Sequence, residues 1–187
     1  MVRSKVTVII LYYIAFGFSL SMLSQNLDIL NEYGKNPKIR AFLDTIAYAE
    51  GTSDPEGYRT LYTYAKFDSF KDHPRQRNCA WYKGSMLCST AAGRYQFLQR
   101  TWDRLVQKIG VPDFSPESQD KAAILLLAEH NALDDIKAGR ISDAIERVKK
   151  IWSSLPGSPY GQPTRTLKEL LRVYKERLSH YQRLRSR

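Results

Sequence analysis

Glu50 is a carboxylate placed where a charge is hard to keep. It ends the stretch Ile39-Arg40-Ala41-Phe42-Leu43-Asp44-Thr45-Ile46-Ala47-Tyr48-Ala49-Glu50, with Gly51 directly after it. At roughly 100° per residue, Ile39, Phe42, Leu43 and Ile46 form an apolar stripe, and Glu50 falls near its centre. Gly51 is a natural helix stop, so the carboxylate would lie in the last turn, at the negative end of the helix dipole. Partial burial and the dipole both disfavour ionisation. A carboxyl that stays protonated near neutral pH can act as a general acid. The competing reading is a frayed helix end with Glu50 turned to water; the stripe alone leaves both open. Asp54, Glu56, Asp68 and Asp72 follow in polar, turn-rich sequence, where solvated acids are the expectation.

The elements that would position Glu50 can be read outward from it. Asn36 can cap the first helix and Pro37 suits its first turn, so the folded domain is expected to begin there, after a polar tether over residues 24–35. Residues 51–92 carry Gly and Pro breaks, the alternating run Leu61–Phe67 and two cysteines; short antiparallel strands and loops are predicted. Helical periodicity resumes at Tyr95, with Leu98, Trp102, Leu105 and Ile109 on one stripe before Gly110 and Pro112. Ser115-Pro116-Glu117 caps a further helix whose segment Ala122–Ala128 is apolar on all sides, the mark of a central buried helix. Ser142 opens another unit with Ile145, Val148 and Trp152 inward, ending at Ser154-Leu155-Pro156-Gly157. A last helix carries Leu167, Leu170, Leu171, Tyr174, Leu178 and Tyr181 on one side and basic residues on the other. The expected fold class is α+β, mainly α, with a small antiparallel β wing. Three segments follow: residues 1–35 as signal or anchor plus tether, 36–163 as the catalytic domain, and 164–187 as a basic C-terminal helix packed on it or extending it.

Composition is ordinary for a globular chain of 187 residues, but the net charge is +10. Residues 164–187 hold +6 of it, from eight Lys and Arg against Glu169 and Glu176. Such a balance attracts polyanions. At the other end, Arg3 and Lys5 precede an uncharged run of 18 residues, Val6 to Leu23. That is the order of a signal peptide, and the run is also just long enough to span a bilayer with its N-terminus cytoplasmic. No Ala-x-Ala cleavage site is present, so cleavage and retention both stay open. Cys79 and Cys88 bracket eight residues with Lys83-Gly84 at a possible hairpin turn. In an oxidising compartment they can close a disulfide, stabilising by about 2.5–3 kcal/mol through loop entropy; two reduced thiols are the alternative. Two cysteines and three scattered histidines offer no zinc-ligand spacing. No metal or cofactor is expected.

A series of short words is more specific than this plan: Arg40-Ala41-Phe42-Leu43-Asp44, Glu50-Gly51-Thr52, Asp72-His73-Pro74-Arg75, Ala92-Gly93-Arg94-Tyr95-Gln96, Asp113 to Asp120, Ile151 to Gly157, and Tyr160-Gly161-Gln162. In this order and spacing, the chain resembles the lambda-type phage endolysins, lytic transglycosylases of the lysozyme-like superfamily, over about residues 38–163. The resemblance implies a lysozyme-like helical domain with Glu50 as catalytic acid and base. It places Gly93, Arg94, Tyr95 and Gln96 at a turn and helix start lining a glycan cleft, with Tyr160 and Gln162 on the opposite wall. For Tyr95 core packing is equally open, and for Arg94 a structural ion pair; Asp72 to Arg75 reads more naturally as a loop lock than as a glycan contact. The export segment and the C-terminal helix are expected to lie outside the shared region.

Hydrolytic glycosidases normally use two carboxylates. The phage muramidase pattern of Glu followed nine residues later by Asp or Cys is absent, because position 59 is Arg. Intramolecular transfer needs one such group, so the expected reaction breaks the MurNAc–GlcNAc β-1,4 bond and leaves a 1,6-anhydroMurNAc end. Two alternatives are a hydrolytic lysozyme and a non-catalytic basic protein active on cell wall or membrane. The expected partners are peptidoglycan strands, anionic wall or outer-membrane components at the basic helix, and the inner membrane at the N-terminal segment. Nucleic acid is not expected to be met by an exported chain, and a monomer is expected. The expected location is the periplasm, with residues 6–23 tethering the chain to the inner membrane before release.

Overall fold

The computed structural model describes residues 26–186; the apolar run Val6–Leu23 and its expected role lie outside them. Residues 26–35 are helical (α1). This corrects the expected polar tether: Leu30 is buried, with Leu27 and Tyr33 packed against the core. Isolated apolar residues at helical spacing were enough to seat a segment that looks polar by composition.

Helix α2, Pro37–Glu50, starts where its sequence demands. The Asn36 side chain accepts from the backbone N–H of Lys38 at 2.9 Å and of Ile39 at 3.4 Å, and Gly51 ends the helix at φ 74°. Nine of its fourteen residues are buried. The central helix is therefore α2, whereas the sequence pointed to the apolar run in α4. The reason is composition: α2 buries Ala41, Asp44, Thr45 and Ala47 beside its apolar stripe, and small or polar residues hide a second buried face.

That second face is covered by α7, Leu167–Arg185, which packs along α2 through Leu170, Val173 and Tyr174. Between them in sequence come α3 (Gln99–Ile109), α4 (Pro116–Glu129), the short α5 (Leu133–Ala138) and α6 (Ile141–Val148). The capping Ser115 of α4 accepts from the Ser118 backbone N–H, as its type predicts. Helix α3 begins at Gln99, not at Tyr95, and Leu98 is exposed rather than on the buried stripe. Trp152 is buried but follows the end of α6 in a turn. Around Phe114 the core stacks Trp102 edge-on at 4.6 Å and Phe67 at 5.7 Å.

The β wing is smaller than expected. Among the described residues only β1 (Asn78–Tyr82) and β2 (Ser85–Ser89) form an antiparallel hairpin, with Cys79 opposite Cys88 and the pair disulfide-bonded. Lys83 and Gly84 both take positive φ at the turn, as a two-residue hairpin loop requires. The alternating run Leu61–Phe67 is a tight turn closed by Leu61 N–H to the Ala65 carbonyl, with single bridges from Thr60 to Lys66 and from Leu61 to Ala92. Alternation there reflects anchoring by Leu61 and Phe67, both buried, and not a strand.

Candidate active site

Glu50 is the last residue of α2, enclosed by protein while keeping partial access to solvent. Burial raises its pKa from the ordinary carboxylate value to about 7, opposed by hydrogen bonding from the Ser154 hydroxyl and backbone. The Ser154 hydroxyl donates to Glu50 Oε1 at 2.5 Å. Among the described residues, no charged side chain contributes to the shift. The result is a carboxyl that titrates near neutrality, the property a general acid and base needs.

Ser154 was not singled out by sequence. It lies in the word Ile151–Gly157, and the only local signal is a polar Ser-Ser pair directly after the buried Trp152. What selects it is the fold. The Ser154 carbonyl accepts from the Arg165 N–H at 2.9 Å, and the neighbouring Ser153 hydroxyl donates to Gln162 Oε1 at 2.8 Å. The loop 151–165 thus folds back on itself and presents Ser154 to the end of α2. Gln162 is exposed and connects to Glu50 through two hydrogen bonds, one on Ser153 and one on Ser154. Tyr160 is also exposed, and its hydroxyl donates to the Lys150 carbonyl at 2.9 Å.

Within the turn Gly93–Gln96, Arg94 and Tyr95 serve differently from a cleft lining. Arg94 and Tyr95 are 7% and 2% exposed, too deep to offer a face to a saccharide. Of the readings open for them, the structure has the ion pair for Arg94 and core packing for Tyr95. Arg94 donates to Asp44 Oδ1 at 2.9 Å and to the Thr52 carbonyl at 3.1 Å, while the Thr52 hydroxyl donates back to the Arg94 carbonyl at 2.6 Å. The chain just past Glu50 is thereby fixed to the turn. Tyr95 donates to Asp120 at 2.6 Å, and its carbonyl accepts from Trp152 Nε1 at 3.0 Å. Gly93 takes φ 78°, and a Cβ there would lie 2.2 Å from Gln119 Oε1; only glycine fits. Gln96 is partly exposed and donates to the carbonyls of Thr60 and Gly93 at 3.1 and 2.9 Å.

Asp44 is the hub beneath the site. Besides Arg94 it accepts from Arg177 Nε at 2.5 Å and Tyr181 at 2.7 Å, tying α7 to α2 and to the Arg94 turn. Asp72 to Arg75 is a lock: buried His73 bridges the Phe97 carbonyl at 2.9 Å and the Arg75 N–H at 3.1 Å. Since Nδ1 accepts from Arg75, Nε2 carries the proton and donates to Phe97; burial holds the His73 pKa down, consistent with a neutral ring. Arg75 spans Asp72 and Asp103. Among the described residues, no three His, Cys, Asp or Glu side chains converge as a metal ion would require.

A family model described as Endolysin matches residues 40–181. The match runs past residue 163, so most of α7 falls inside the shared region, correcting the expectation that it would lie outside. The chain is 42% identical over 149 residues to the endolysin of Escherichia phage P2, covering 73% of this chain and 90% of that one. It is 40% identical over 147 residues to the endolysin of Escherichia phage lambda, covering 75% and 91%. Bacteriophage lambda lysozyme complexed with a chitohexasaccharide is similar in structure, with a TM-score of 0.71 at 39% identity over 76% of this chain and 94% of that one. A second structure of lambda lysozyme gives a TM-score of 0.63 at 35% identity, over 79% and 94%. With the family model matching residues 40–181 and both phage endolysins covered over nine-tenths of their length, this chain belongs to the endolysin family.

Proposed function

We propose that this protein opens peptidoglycan for bacterial lysis as a lytic transglycosylase, with Glu50 as its single catalytic acid and base. Peptidoglycan cleavage follows from membership of the endolysin family; the transglycosylase chemistry is our reading. The observation that carries it is a carboxyl raised to about 7 by burial, with no neighbouring carboxylate contributing. A second acid close enough to serve as nucleophile would add a like-charge effect. The acids that follow in sequence are exposed, and Asp54, Asp68 and Asp72 pair with Lys66, Arg59 and Arg75.

Because Ser154 donates to Oε1, the proton of the neutral carboxyl resides on Oε2. Oε2–H protonates the oxygen linking MurNAc to GlcNAc, the bond from C1 to that oxygen breaks, and the GlcNAc side leaves. The MurNAc 6-hydroxyl then closes onto C1 and gives its proton to Oε2, which restores the acid and yields the 1,6-anhydro ring. No water is consumed. The tethered hydroxyl supplies its own effective concentration. Tyr160, Gln162 and Gln96 are the exposed or part-exposed groups offered to glycan.

Delivery belongs to the same reading. Residues 6–23 would carry the chain across the inner membrane, or hold it there before release into the periplasm. On α7, Lys168, Lys175 and Arg183 are exposed on the side away from the buried residues, suited to anionic wall or outer-membrane groups. Mass spectrometry of muropeptides released by the purified protein tests the chemistry, beside Glu50→Gln. Anhydro ends, lighter by one water than reducing ends, are expected and should vanish in the variant; reducing ends would make it a hydrolase. Intact mass of the periplasmic protein distinguishes a cleaved segment from a retained one.

A further inference from the structure

We propose that Tyr64 is a saccharide-stacking residue beside Glu50, holding a pyranose ring of the glycan against the end of α2. The assignment rests on the reading that this site takes glycan. It starts from an anomaly in the backbone. Tyr64 takes φ 64°, a conformation that is a genuine outlier for a bulky side chain and that glycine or asparagine would adopt more easily. The turn that imposes it is firmly closed, by Leu61 N–H to the Ala65 carbonyl at 2.8 Å and Tyr64 N–H to the Leu61 carbonyl at 2.9 Å.

Burial does not explain the tyrosine, because its surface is 68% exposed. Its position does. The ring rests against Gly51, the residue after Glu50: a Cβ on Gly51 would lie 3.3 Å from Tyr64 Cε1 and 3.4 Å from its hydroxyl oxygen. Gly51, held at φ 74° as the cap of α2, thus provides a seat that any side chain would crowd. The outcome is an aromatic ring fixed at one edge, open over most of its surface, and one residue away from the candidate acid. Backbone strain of this kind collects at ligand-binding positions, and binding residues are commonly carried on loops positioned by a rigid body. The apolar C–H face of a pyranose is the chemistry such a ring recognises, while the ring's rigidity limits the freedom lost on binding.

The test uses the full chain carrying Glu50→Gln, so that glycan is bound but not cleaved, with chitohexaose as the probe in calorimetric titration. Tyr64→Gly added to this chain should weaken binding by about fivefold to tenfold. Tyr64→Phe, which keeps the ring, should stay within about twofold of the parent. Thermal unfolding supplies the control: Tyr64→Gly relieves the strained φ, so its Tm should hold or rise by about 2–4 °C. Weaker binding in a chain of equal or greater stability is the expected signature. Unchanged affinity in Tyr64→Gly overturns the proposal, as does a loss shared equally by Tyr64→Phe or accompanied by a lowered Tm. If the parent Glu50→Gln chain with Tyr64 intact binds no chitohexaose, the glycan reading fails, and the assignment falls with it.

Discussion

Helix α2 carries two enclosed carboxylates six residues apart, and they are treated in opposite ways. Asp44 accepts from two guanidinium groups and a phenol, whereas among the described residues Glu50 receives hydrogen bonds from Ser154 alone. Asp44 is a structural link that joins α2, α7 and the Arg94 turn. Glu50 has no counter-charge among the described residues, and its pKa near 7 lets its proton be exchanged near neutral pH. The contrast teaches that burial alone does not make a catalytic acid; what matters is how little the surroundings compensate its charge.

The contrast can be broken most severely at Glu50. Glu50→Gln keeps the shape and removes the exchangeable proton, so glycan cleavage should fall by about 10²- to 10⁴-fold with the fold intact by circular dichroism. Next in size, Asp44→Ala should destabilise the protein by about 3–5 kcal/mol in urea unfolding, since it strands the buried Arg94. The fraction that remains folded should keep the parent's pH profile, because Asp44 acts on structure and not on the proton. An equal change in profile would erase the distinction between the two acids.

A third expectation concerns stability and pH. The folded-state pKa of Glu50 is raised to about 7, so between its unfolded value and about 7 the native state binds the extra proton. The parent should therefore lose stability as pH rises through this window, while Glu50→Gln does not. Above pH 7 the variant should be more stable by up to about 3 kcal/mol, measured as the difference of the two urea curves at pH 5 and pH 8. The smallest effect belongs to Ser154→Ala. It removes a contact that lowers the Glu50 pKa, so the alkaline limb of kcat/KM should move up from about 7 by roughly half a unit to one unit. Ser154→Thr, which can still donate, should restore it.

Much of the local architecture was legible. Asn36, Pro37 and Gly51 mark both ends of α2, Ser115 marks the start of α4, and Lys83-Gly84 marks the hairpin turn, because each acts on backbone within a few residues of itself. The hairpin also brought Cys79 opposite Cys88, as the spacing had suggested. What periodicity missed shares one cause. The second buried face of α2, the seating of residues 26–35 and the turn at Leu61–Phe67 depend on partners remote in sequence, and a small or isolated residue does not announce them. The same holds at the site. The words of the sequence pointed to Gly93–Gln96 as lining, yet Arg94 and Tyr95 face inward, while Ser154, which touches Glu50, carried almost no signal.

The sequence by itself determined that an acid would end a capped, largely apolar helix beside a β wing, because caps, stops and stripes are short-range properties. Only the tertiary structure decided which acid would be compensated and which left exchangeable. Asp44 meets Arg177 across 133 positions and Glu50 meets Ser154 across 104, and pKa follows from burial and partners in space, which no local pattern of residues can set.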